Sequence, residues 1–296
     1  MAPTILVLGR SGQVARELAK IGPPDGFELA FAGRETLDLA GPVDLAGFVR
    51  QRAPAAVINA AAYTGVEKAE SEPDAAFRLN RDVPAELARA CAALQLPLVH
   101  FSTDYVFDGE KPTPYVEDDP TGPLGVYGRS KLEGEQAVLA AGGRAIVLRT
   151  SWIYSAFGSN FVKTMLRLAE SRAELGVVDD QVGRPTWAED CARGALRAVR
   201  ALLDREAAAD GVFHLAGAGD ASWADFAEAV FDGAAARGLP AARVKRITTA
   251  DYPTLARRPA NSRLDCRKLA ATLGLRARPW RDSLLACLRE LGTASA

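Results

Sequence analysis

Three groups of residues in this 296-residue chain have the types and spacing to do chemistry. Tyr127 and Lys131 stand four positions apart in the run Tyr127-Gly128-Arg129-Ser130-Lys131. On a helix that spacing puts a phenol and an ammonium on one face, one turn apart. A positive charge so placed lowers a phenol's pKa from about 10 toward the range useful for proton transfer. Tyr127 is then a candidate general acid toward a carbonyl oxygen whose carbon receives a hydride. The second group, Gly9-Arg10-Ser11-Gly12-Gln13-Val14-Ala15, carries small residues in a G-x-x-G-x-x-A pattern. Glycine allows close backbone approach to a dinucleotide pyrophosphate, and a helix N-terminus offers it free amides. The third group, Phe101-Ser102-Thr103-Asp104-Tyr105-Val106-Phe107, ends an apolar run in hydroxyls and a carboxylate. Taken singly, each pattern reads equally well as a solvated ion pair, a tight turn or a capped strand end. Their order along one chain makes coincidence a poor explanation.

Groups such as these need a scaffold that brings them to one place. Short apolar, β-branched runs at 5–8, 27–31, 56–59, 97–101 and 145–149 alternate with amphipathic helical patterns at 14–21, 45–51, 83–94 and 130–139. That alternation predicts an α/β fold with a Rossmann-type, doubly wound parallel sheet covered by helices on both faces. In such a sheet ligands bind beyond the carboxyl ends of the strands, where the glycine turn and the hydroxyls of the third group fall. The alternation becomes less regular after residue 150, with helices expected at 160–171, 188–203 and 222–236 and a strand at 212–215. We read residues 1–150 as a dinucleotide-binding domain to which elements at 187–215 return, and 151–296 as a smaller, interleaved substrate-binding part.

Composition narrows the function classes. With 36 basic and 37 acidic side chains, and no basic patch interleaved with aromatics, no nucleic-acid partner is expected. Cys91, Cys191, Cys266 and Cys287 form no C-x-x-C pair and read as scattered apolar residues in a reducing compartment. The two histidines, His100 and His214, lie in strand-like apolar segments, which leaves little room for His-based triads or metal clusters. No apolar run approaches the ~18 residues of a membrane span. The N-terminus enters an apolar strand without a signal-peptide pattern, so a cytoplasmic protein without a membrane partner is expected.

At the end of the second expected strand, Phe31-Ala32-Gly33-Arg34 holds no carboxylate before Glu35. An NAD enzyme places an acid there for the adenosine ribose, whereas Arg34 suits a 2′-phosphate. This leans toward NADPH, with NADH as the alternative.

The chain resembles the extended short-chain dehydrogenase/reductase family, most closely its dTDP-4-dehydrorhamnose reductase branch. The likeness runs through residues 9–14, 57–64, 66–70, 102–108, 126–131, 149–152, 180–186 and 258–262. Its most specific stretches are Ser102-Thr103-Asp104-Tyr105-Val106-Phe107 and Asn59-Ala60-Ala61-Ala62-Tyr63-Thr64. The resemblance implies NAD(P)H-dependent reduction of the C4 ketone of dTDP-4-dehydro-L-rhamnose, a nucleotide-sugar substrate, to dTDP-L-rhamnose. It implies Tyr127 as proton donor, Lys131 as holder of the nicotinamide ribose and modulator of Tyr127, and Thr103 as a hydrogen-bond partner near the reacting oxygen. Asp104 matches a substrate-contacting position, and Trp152 one that closes over the sugar, although Trp152 also reads as core after its strand. Gly9, Ser11 and Gly12 to Val14, Asp38 and Leu39, and Ala62, Tyr63 and Thr64 match cofactor-contacting segments, and the 180–186 loop one that helps hold the nucleotide. A homodimer is suggested too, with Mg2+ at a carboxylate-lined subunit contact that no cluster here locates. The acidic run Glu117-Asp118-Asp119 reads as a solvated turn.

The sequence departs from the usual glycine pattern at Ala15, a small change. A 4,6-dehydratase would carry a second carboxylate where Tyr105 follows Asp104. Another nucleotide-sugar enzyme, or a non-catalytic regulatory subunit like that of methionine adenosyltransferase, are the competing readings; the latter need not keep Thr103, Tyr127 and Lys131.

Overall fold

The structure is a computed structural model that describes residues 2–293. The chain opens with β1 (Thr4–Leu8), α1 (Gln13–Ile21), β2 (Glu28–Ala32), α2 (Leu45–Arg52) and β3 (Ala56–Asn59). Two short helices, α3 (Val66–Ser71) and α4 (Pro73–Phe77), and a π-helical turn (Arg78–Asp82) lead to α5 (Val83–Ala93) and β4 (Leu98–Thr103). Then come α6 (Val126–Ala140), β5 (Ala145–Thr150), β6 (Ile153–Tyr154), α7 (Phe161–Ala169), β7 (Glu174–Val178), β8 (Val182–Gly183), β9 (Thr186–Trp187) and α8 (Ala188–Leu203). The chain closes with β10 (Gly211–His214), β11 (Ala221–Ser222), α9 (Trp223–Ala235), β12 (Arg243–Ile247), α10 (Arg267–Leu273) and α11 (Trp280–Thr293).

Six strands form one parallel sheet in the order β2-β1-β3-β4-β5-β10. The doubly wound α/β fold expected from the sequence is therefore present. Alternation along each strand feeds two cores, because successive side chains point to opposite faces. Ile5, Val7, Ile58, Val99, Ile146 and Leu148 pack under α1 and α8. Leu6, Leu8, Val57, Leu98 and Val147 pack under α2, α5 and α6. The face of α8 toward the sheet is mostly alanine, Ala188, Ala192, Ala195 and Ala198 among them, and so lies close to the strands. A third core, built on Tyr154, Met165, Trp187, Phe226, Trp280 and Leu288, belongs to the smaller C-terminal part. β7 and β12 pair in parallel there. No helix among the described residues is long and apolar enough to cross a membrane.

Two local differences from the sequence reading have physical causes. α6 starts at Val126, four residues ahead of its apolar pattern, because Glu70 of α3 accepts the Val126 amide at 2.8 Å and closes the first turn. The acidic run at 117–119 is not a solvated turn: Glu117 is buried and its Oε1 accepts the His214 amide at 2.8 Å, while Asp119 pairs with Lys111. Both histidines are buried within their strands, and all four cysteines are free thiols.

Candidate active site

The switch point of the sheet lies between β1 and β3, where the chain winds outward in opposite directions. There Gly9 takes φ +103°, a conformation that side chains rarely adopt, and a Cβ on it would meet Ala60 at 3.2 Å. The turn thus presents bare backbone, and Gly12 caps α1 without a side chain over the helix's first amides. A cavity of about 200 Å³ opens on this turn and is lined by Gly9, Ser11, Gly12, Arg34, Asp38, Leu39 and Ala62 among others. Arg34 is exposed at its rim and makes no ion pair among the described residues. Its neighbour Glu35 instead pairs with Arg10 at 2.9 Å. The turn, the open helix end and the guanidinium together fit a phosphorylated dinucleotide.

A larger cavity, about 550 Å³, adjoins the same turn. It gathers Gln13, Val14, Thr64, Thr103, Asp104, Tyr127, Lys131 and Trp152, which come from five separate stretches of chain. Thr103 ends β4, and its Oγ1 donates to Asp104 Oδ1 at 3.0 Å. Tyr127 stands in the first turn of α6, which approaches the 104–106 segment so closely that a Cβ on Gly128 would lie 2.2 Å from the Tyr105 carbonyl oxygen. One turn on, the buried Lys131 donates its Nζ to the Phe101 carbonyl at 2.5 Å. The ammonium is therefore tied to β4, the strand that carries Thr103.

The electrostatics differ from the sequence expectation in one respect. Burial pushes the Tyr127 phenol up to about 12, against a hydrogen bond from Thr103. The Asp104 carboxyl raises it as well, and the Lys131 ammonium has no resolved influence on it. Burial pulls Lys131 itself down to about 8, with Glu135 opposing. In the ligand-free site the Tyr127 phenol is thus protonated at neutral pH. Asp104 is buried too; burial pushes its carboxyl up to about 7 against hydrogen bonds from Thr103 and Ser262. Its Oδ2 has no hydrogen-bond partner among the described residues.

Trp152 sits at φ +48°, an uncommon backbone for a bulky residue, and several contacts hold it there. Its indole stacks on Trp223 at 3.5 Å between centroids, and its Nε1 donates to Ser262 Oγ at 3.1 Å. Trp152 lines the large cavity and Trp223 a third one of about 340 Å³, which also takes in Gln181, Tyr252 and Arg258. The indole pair is the wall between them.

Tyr63 goes elsewhere. It lines neither cavity of the switch point; its hydroxyl donates to Glu72 at 2.6 Å, and Asn80 uses both of its backbone groups at 2.9 and 3.0 Å. The same Asn80 donates to Ser130 Oγ at 3.0 Å, so it fixes the 62–64 loop to α6. Asn80 lies outside every stretch that carries the family resemblance, and Glu70 and Ser262 lie within such stretches without a role assigned to them, since each acts through partners far away in the chain. As for a metal, among the described residues no group of three or more His, Cys, Asp or Glu side chains is arranged to hold one. Where Glu17, Glu189 and Glu290 do converge, the Lys20 ammonium fills the centre at 2.7, 3.1 and 2.7 Å. These residues do not fit a bound Mg2+.

Comparison with known proteins agrees with this geometry. The family described as the RmlD substrate binding domain matches residues 3–293. A dTDP-4-dehydrorhamnose reductase of Sinorhizobium fredii is 50% identical over 283 residues, 94% of this chain and 94% of that protein. The crystal structure of a dTDP-4-dehydrorhamnose reductase from Clostridium acetobutylicum has a TM-score of 0.90 at 37% identity, covering 97% of this chain and 99% of the other. That of a dTDP-4-dehydrorhamnose reductase from Bacillus anthracis, in complex with NADP, also scores 0.90, at 31% identity and 98% and 100% coverage.

Proposed function

Since this chain belongs to the dTDP-4-dehydrorhamnose reductase family and is an NAD(P)H-dependent reductase, we propose that Thr103, Tyr127 and Lys131 are the residues that carry its reaction. The reaction is reduction of the C4 ketone of dTDP-4-dehydro-L-rhamnose to give dTDP-L-rhamnose. The observation that supports these roles is their convergence with the glycine turn in one cavity. A bound nicotinamide supplies the hydride. Tyr127 gives its phenolic proton to the C4 oxygen as negative charge develops there, and Thr103 hydrogen-bonds the same oxygen. The Lys131 ammonium lowers the cost of the phenolate left behind.

Asp104 offers its open Oδ2 to the sugar, and Trp152 covers the ring. The nucleotide lies beyond the indole wall, where the Arg258 Nε is buried with no hydrogen-bond partner among the described residues and is available to a phosphate oxygen. Arg34 receives the 2′-phosphate, so NADPH is the preferred cofactor. One observation favours NADH as a second reading: the Glu35 carboxylate folds back over Gly33, within reach of ribose hydroxyls. We place the reaction in the cytoplasm, where NADPH and nucleotide sugars are supplied.

The test is Tyr127→Phe, assayed by NADPH absorbance with dTDP-4-dehydro-L-rhamnose. Turnover should fall by roughly two to four powers of ten, the worth of a positioned acid, with cofactor affinity retained. Turnover near that of the parent would remove Tyr127 from the mechanism.

A further inference from the structure

Glu17, Glu189 and Glu290 come from α1, α8 and α11, and their carboxylates meet at one point against the outer side of the cofactor helix. Glu17 is fully buried, and its second oxygen accepts from Ser155 Oγ at 2.6 Å. Glu189 turns its Oε1 toward Arg193 and Arg278 at 3.0 and 3.4 Å, which leaves Oε2 for Lys20. The Lys20 ammonium also lies 5.1 Å from the Trp187 ring centre and 5.9 Å from that of Phe157. Burial alone would lower the Lys20 pKa, but its hydrogen bonds to Glu17, Glu290 and Glu189 raise it well above the usual value.

Three carboxylates from three helices are hard oxygen ligands of the kind that divalent cations take. The Lys20 side chain is 32% exposed and Glu290 33%, so the cluster opens to solvent on one side. We propose that Lys20 is the resident cation of this triad: its ammonium stands where a divalent ion would otherwise bind, and makes the fastening of α1 to α8 and α11 independent of metal. A lysine three residues after Glu17 on the same helix delivers the charge in cis, with nothing to be lost to a chelator.

The test compares the intact protein with Lys20→Met, which keeps side-chain length and removes the charge. Thermal unfolding is followed in EDTA, in millimolar Mg2+ and in millimolar Mn2+, and Mn2+ binding is read from the loss of its free-ion EPR signal. The intact protein should bind no Mn2+ at this site and melt at the same temperature in all three. Lys20→Met should melt roughly 3–6 °C lower in EDTA, a modest shift because the cluster is partly solvated. It should recover in Mn2+ and bind about one ion per chain. Adding Glu290→Gln to Lys20→Met should abolish that response. Stabilisation of the intact protein by Mg2+, or a Lys20→Met variant that neither binds Mn2+ nor recovers in it, would overturn the proposal. If Lys20→Met is unfolded in EDTA, the titration is read as return of far-UV circular dichroism, and no return has the same meaning.

Discussion

Replacing Asp104 with Asn should make the ligand-free protein more stable than its parent by an amount that grows with pH. Asp104 is 2% exposed, and burial holds its carboxyl up at about 7. In the unfolded chain the same group titrates near 3.9. Between those values the folded protein keeps a proton that the unfolded chain has released, so rising pH favours unfolding. The full separation, about three units, corresponds to about 4 kcal/mol, reached once the pH has passed the folded value. Some 1.5 kcal/mol is already felt at about pH 5, which leaves roughly 2.5 kcal/mol to appear between about pH 5 and pH 8. Asparagine keeps the Oδ1 acceptor for Thr103 and places a neutral group where Oδ2 lies. At about 2 °C per kcal/mol for a chain of this size, the variant should gain about 5 °C on its parent over that interval. Circular dichroism melts of the two apoproteins at a series of pH values measure this directly. Curves that stay parallel across the interval would refute the reasoning, because they would mean that Asp104 is ionised in the folded protein throughout.

Three other expectations are easily checked. Arg34→Ala should weaken NADPH by about tenfold and leave NADH nearly unaffected, since only the former has a 2′-phosphate to lose; equal losses in a fluorescence titration would deny Arg34 its role. Turnover should decline as pH rises through about 8, where the buried Lys131 gives up its proton, while Tyr127, held at about 12, does not titrate in that range. A kcat profile that is level through the alkaline limb would contradict this. Gly128→Ala forces a Cβ against the Tyr105 carbonyl oxygen and must shift α6. It should cost about 1–3 kcal/mol of stability and lower kcat by moving Tyr127, so a variant with parental melting and turnover would show that the helix has room after all.

The parallel sheet was legible because its strands are buried on both faces and read as apolar runs between helical patterns. Ile5 to Leu8 is such a run, and so are the three strands β3, β4 and β5, each buried along its length. β7 was not: Glu174–Val178 is five residues long with two of its five buried, and its partner β12 is mostly charged. The chemistry of the site could be read wherever function needs a residue type at a fixed local offset, as with Tyr127 and Lys131. It could not be read where a role depends on distant partners. Asn80 joins the 62–64 loop to Ser130, and no local spacing announces that. Tyr63 lies in a stretch expected to contact the cofactor, and its side chain is turned to Glu72. Electrostatic direction was also hidden, because burial rather than the nearby ammonium sets the Tyr127 phenol, and burial is a property of the whole fold.

The alanine-rich face of α8 and the sixth strand have a consequence for how the molecule comes into being. A nascent chain that has delivered only its first 150 residues has Ile58, Val99, Ile146 and Leu148 of one sheet face without α8, and β5 as an unpaired edge. Strand edges and bare apolar faces of that kind invite association with other chains. The six-stranded sheet is therefore finished only when Phe213 has been added, after residues 151–210 have been made. Cutting the gene at the apparent domain border would yield two fragments that each lack a piece of the other's interior.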